Sequence, residues 1–201
     1  MKTSSLDRIL LLLTSLLAAW QVAIGINDLG AVAITAHTIA FGVLLVAGLL
    51  MIILGLEVLE SPIVVIVSTI IPLSLSLGLV WEHLERFRTP YLVFALLGLL
   101  AVIVTRSFPM PGKLPTVVIA LIHGVAGLTI FLLPTILAAQ GVTRPGFALV
   151  GLGGALIGLG GLLLSFLKAG KPILPKETIL RILPGLLLLM TAAFVAGFAL
   201  Q

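Results

Sequence analysis

The sequence predicts an all-α protein, a polytopic transmembrane helix bundle with seven spans. Three observations carry that prediction. The chain is 61% hydrophobic and 9% charged, with a mean hydropathy of +1.37, whereas a water-soluble domain carries about 25% charged residues. Apolar stretches long enough to cross a hydrocarbon core of about 30 Å recur along the whole length. They are continuous rather than alternating, which argues against the strand pattern of a membrane barrel. No stretch is left over for a soluble domain, so residues 1–201 read as a single transmembrane helical domain.

The first span, Leu6–Ile26, begins among Lys2 and Arg8 and reads as a signal-anchor helix. The second, Ala31–Leu56, holds His37 in a run without formal charge. The third, Pro62–Val80, contains Pro72, which removes a helical hydrogen bond; Ser68, one turn earlier, is placed to satisfy a freed group. Tyr91–Thr105 is the shortest span. Pro115–Ala139 contains His123 and Pro134, Phe147–Leu167 contains a glycine run, and Thr178–Leu200 contains Pro184. The prolines predict kinks. The links "NDLG", "EVLES", "WEHLERFRTP", "RSFPMPGK", "QGVTRP" and "KAGKPILPKE" are short and marked by proline, glycine and charge.

An odd number of spans places the two termini on opposite sides. One side then receives Lys2, Arg8, Arg106, Lys113, Lys168, Lys171, Lys176 and Arg181, the other Arg86, Arg88 and Arg144. Because Lys and Arg accumulate in cytoplasmic loops, the N-terminus is expected in the cytoplasm and the C-terminus outside. The net charge of +4 is thereby a matter of topology and not of nucleic-acid binding. The expected residence is the plasma membrane or another energy-transducing membrane. With no cysteine, disulfides and thiol catalysis are excluded.

The run "GLGGALIGLGG", Gly151 to Gly161, offers small residues where helix backbones approach closely, either within the bundle or against other membrane subunits. A glycine face against a flat cofactor is the alternative. Sliding the chain by 86 residues superposes His37 on His123 and pairs spans one to three with four to six. A three-span unit repeated in this way would be inverted, as in many transporters.

Ionisable groups inside a bilayer are functional candidates by default. His37 and His83 flank the hairpin around "EVLES" at similar helical distances, about 30 and 33 Å. If "WEHLERF" continues the third helix as far as Pro90, the two imidazoles stand level, as bis-histidine ligation of a haem requires. Arg86 and Arg88, close to His83, are then candidate partners for haem propionates. His123 enters from the opposite side, about 12 Å deep. Gly124, Ala126 and Gly127 beside it leave room for a flat group such as a quinone head or a second haem. For each histidine, a helix–helix hydrogen bond, haem or metal ligation, and proton or substrate handling all stay open.

"QVAIGINDLGAVAITAHTIAFGVLL", Gln21 to Leu45, resembles the helix pairs of haem A synthases and other b-type cytochrome membrane helices, in which Q-x-x-x-G leads into H-x-x-A. The resemblance implies haem ligation by His37 and, through the echo "IHGVAG", by His123. The family's Glu-x-x-His-Arg has only the shuffled "EHLER" as a counterpart, and its even-numbered bundle differs from seven spans.

Nucleotide-binding glycine loops, G-x-S-x-G and H-E-x-x-H are absent, and no lysine lies in the last span to form a retinal Schiff base. Three expectations follow. The first is a haem b electron-transfer subunit of a larger respiratory or photosynthetic complex, with a quinone as a further cofactor. The second is a non-catalytic structural or assembly subunit, and the third a small inverted-repeat transporter. Whether the chain is an enzyme is left open.

Overall fold

A computed structural model describes residues 4–27, 29–110, 112–168 and 173–201, with only the backbone of residues 60, 165 and 168. Lys2 and Lys171, named above among the charged groups, and Asp28 of the link "NDLG" lie outside the described residues. Among the described residues, seven helices are long and apolar enough to cross a membrane. They are α1 (Ser5–Ile24), α2 (Ala31–Leu54), α3 (Pro62–His83), α4 (Arg88–Ser107), α5 (Leu114–Ala139), α6 (Ala148–Lys168) and α7 (Lys176–Ala199). No strand occurs among the described residues. In hydrocarbon every backbone N–H and C=O needs an internal partner, and a helix supplies one within a single segment.

The helix ends follow from local chemistry. Ser4 and Asp7 form a reciprocal capping box at the start of α1, with bonds of 2.8 and 3.1 Å. At its other end the Gln21 amide donates to the Gly25 carbonyl at 2.7 Å, and Gly25 turns with φ +70°. Q-x-x-x-G is thus a helix-termination device here. It also ends α1 two residues before the expected Ile26.

The turn between α3 and α4 departs more from expectation. The third helix runs past Val80 but stops at His83, and a turn of 3-10 helix (Glu85–Phe87) leads directly into α4. Pro90 therefore does not end a long third helix; it sits in the first turn of α4, where a missing N–H costs nothing. The Ser68 hydroxyl donates to Val65 O at 3.1 Å, while Ser76 donates to Pro72 O at 2.6 Å, so the hydroxyl that bonds to the proline residue is that of Ser76.

Neighbour relations define the bundle. Helices α1, α2, α3, α5, α6 and α7 pack in that order, and α7 returns to α1, closing a ring; α4 lies outside it against α3 and α5. A single stripe of α4 (Ala95, Gly98, Val102, Thr105) is buried. The main core fills the ring in the half that holds the ends of α1, α3, α5 and α7, with Phe41, Leu75, Leu79, Ile130, Phe194 and Phe198 among its residues. That half is called the histidine end. The opposite half, the basic end, carries Arg8, Arg106, Lys113, Lys176 and Arg181.

The glycine run of α6 is used inside the bundle. A methyl group added at Gly154 would meet the backbone of Ile130 and Phe131 on α5 at 2.8 Å; one at Gly153 would meet the Phe194 ring of α7 at 2.5 Å. Lipid tails are as apolar as leucine, so the gain on helix association comes from this close approach. Gly158 and Gly161 have no such neighbour. The expectation that the run mediates helix packing holds within the chain itself.

Candidate functional site

The polar groups singled out in the sequence gather mainly at the histidine end. His37 lies in the second turn of α2, facing inward with Ala33, Ala36, Ala40 and Phe41, and is 1% exposed. Its ring rests on Gly78 of α3: a Cβ there would stand 2.6 Å from both Cε1 and Nε2. On another side lies Phe198 of α7, ring centroids 4.7 Å apart at 58°. Phe198 packs edge-on against both Phe41 and Phe147 at 6.2 Å, and Phe147 meets His83 at 5.3 Å. His37, Phe198, Phe147 and His83 thus form one continuous stack across the end of the ring.

Neither nitrogen of His37 has an aligned hydrogen-bond partner, although the carbonyls of Ala33 and Leu75 lie within electrostatic reach. Leaving such a group unmatched costs about 1–3 kcal/mol. The ring sits between those two carbonyls and Phe198.

The geometry allows a test of the expected haem. His37 and His83 do belong to one cluster, as their level placement required. A macrocycle ligated by both, however, would lie as a flat plate between the rings, and the side chains of Phe147 and Phe198 fill that space. As packed, the pair does not fit a bis-histidine haem. Among the described residues there is also no cluster of three or more His, Cys, Asp or Glu side chains able to hold a metal ion.

The arginines have local roles. Arg88 Nε donates to Trp81 O at 2.6 Å, its guanidinium stands 6.0 Å from the Trp81 ring, and Nη1 lies 3.5 Å from Glu85. It locks the α3–α4 turn. Arg86 is exposed on the 3-10 turn. His123 is not brought to His37 or His83: it lies in α5 nearer the basic end, with Nδ1 donating to Ile119 O at 3.0 Å. A Cβ added at Gly124 or Gly127 would meet no atom within 4 Å, Gly124 being exposed, whereas Ala126 is buried against the bundle.

Comparison with protein-family models, curated proteins and solved structures finds no match for this chain. Function has to be read from its own geometry.

Sequence reasoning missed Phe147, Phe198 and Gly78, and placed Glu82 in the polar cluster with His37 and His83 without giving it a role. The Glu82 carboxylate accepts the Gly30 N–H at 3.0 Å, capping α2 from the end of α3, since α2 has no side-chain cap of its own. A signal for the aromatic stack was present: His37 and Phe41 are one turn apart on α2, as are Phe194 and Phe198 on α7. The contact between those two faces is tertiary and has no sequence signature.

Proposed function

We propose that this chain is a non-catalytic structural or assembly subunit of a membrane complex. The observation that carries the reading is the stack itself: the most deeply buried imidazole is used as a packing group, seated on Gly78 and covered by Phe198. A redox site would need that volume for its cofactor, and a transporter would need a polar cavity near the midplane touching His123. The haem b and quinone expectations therefore draw less support from the packing than the scaffold does. On this reading the basic end faces the cytoplasm, and neighbouring subunits dock along the lipid-facing helices, including the open Gly158 and Gly161 positions of α6.

The test is purification of the tagged chain from its native membrane in mild detergent. The wild type and a triple variant, His37→Leu, His83→Gln and His123→Gln, are expected to migrate alike in one assembly much larger than the 21.0 kDa chain. Migration of the wild type as a lone chain, or loss of the assembly only in the triple variant, would overturn the proposal.

A further inference from the structure

The basic end contains the chain's other built feature, a cavity of about 380 Å³. That is within the range of small-molecule sites, about 300–1,000 Å³. Its walls come from the links and helix ends that meet there: Leu56 before α3, Leu164 and Leu167 at the end of α6, and Leu180 in α7. Two cations complete the lining, Arg106 from the last turn of α4 and Lys176 from the first residue of α7.

Arg106 is the informative group. Its Nε is shut off from solvent and has no hydrogen-bond partner. A guanidinium stays charged at any ordinary pH and donates only, so this N–H calls for an acceptor, best an anionic oxygen. Lys176 adds positive charge at the mouth, shared with Glu57, whose carboxylate lies within electrostatic reach of it. The start of α7 has no side-chain cap, and its dipole has the same sign as the two cations. The remaining lining is leucine-rich. Cationic donors above apolar walls, at one end of a membrane bundle, match an anion that carries a hydrocarbon chain.

We propose that this cavity binds the phosphate headgroup of an acidic phospholipid, with Arg106 as the primary ligand-binding residue and Lys176 as a second. Basic pockets between transmembrane helices are suited to such headgroups. The site is separate from the histidine end and does not depend on the scaffold reading.

The experiment is native mass spectrometry of the full chain in detergent, titrated separately with dioleoylphosphatidylglycerol, dioleoylphosphatidylcholine and inorganic phosphate. The acidic lipid is expected to bind at least about tenfold more tightly than the zwitterionic one. Arg106→Gln lowers that affinity about tenfold and Lys176→Gln about fivefold, while the distant Arg86→Gln changes nothing. Should Arg106→Gln fold poorly, Leu167→Trp fills the cavity with both charges intact and is expected to abolish the acidic-lipid preference. Equal retention of the two lipids, or a preference untouched by Arg106→Gln and Leu167→Trp, would refute the site. Inorganic phosphate binding as tightly as the acidic lipid would place a free ion there and overturn the lipid assignment.

Discussion

Replacing Gly78 with alanine probes the seat of His37 directly. The new Cβ would stand 2.6 Å from Cε1 and Nε2 of the ring and 3.0 Å from Cδ2. Comfortable carbon contacts begin at about 3.5 Å, so the ring would have to retreat by nearly ~1 Å. It has nowhere to go, being 1% exposed with the Phe198 centroid 4.7 Å away. Overpacking of this kind costs about 1–3 kcal/mol, against which alanine's better helix propensity returns up to ~1 kcal/mol. The net loss is expected near ~1–2 kcal/mol, a fall in Tm of about 2–8 °C for a chain of this length. Thermal unfolding followed by circular dichroism in one detergent measures it. The decisive comparison is a double-mutant cycle with His37→Ala. Once the imidazole is gone, Gly78→Ala should be harmless, giving a coupling of about 1–3 kcal/mol. An equal cost of Gly78→Ala with and without the imidazole would refute the packing described here.

Other consequences are testable in the same preparation. Gly154→Ala, which presses on the α5 backbone, is expected to destabilise by about 1–3 kcal/mol, whereas Gly158→Ala, with open space around it, should be neutral or gain up to ~1 kcal/mol. Glu82→Ala removes the acceptor for the Gly30 N–H and should cost about 0.5–2 kcal/mol, read as a lower Tm. The absence of cysteine gives a clean background for topology mapping. Cysteines placed at Lys113 and Arg144 are expected to react with an impermeant maleimide from opposite sides of intact cells, Arg144→Cys from outside and Lys113→Cys only after permeabilisation. The reverse pattern would invert the proposed orientation.

Much of the fold was legible because the bilayer imposes it. A continuous apolar run must become a helix, and the intervening proline, glycine and charge fix the links. All seven spans were placed in this way, and of the glycine run Gly153 and Gly154 pack inside the bundle as expected while Gly158 does not. The boundaries that shifted did so for local reasons. Gln21 and Gly25 close α1 early, and His83 ends α3 because a 3-10 turn and the Arg88–Trp81 bond reverse the chain there. The site was only half legible. Helical rise alone brought His37 and His83 to one end, since that needs only arithmetic along a hairpin. What lies between them comes from the 3-10 turn before α6 and from the end of α7, far along the chain from both histidines, and no local pattern announces that Phe147 and Phe198 fill the gap. The half-buried Arg106 likewise reads in sequence as an interface anchor, and only the meeting of four chain segments makes it the lining of a cavity.

Phe198 and Phe147 link His37 to His83 by ring contacts, and on the proposed scaffold reading no haem is seated between the two imidazoles. An absorption spectrum, oxidised and reduced, of the full chain purified after expression with ample haem tests it most directly. No Soret or α band above background is expected, with a pyridine haemochrome content far below one per chain; a stoichiometric haem whose bands vanish in His37→Leu would contradict the scaffold reading.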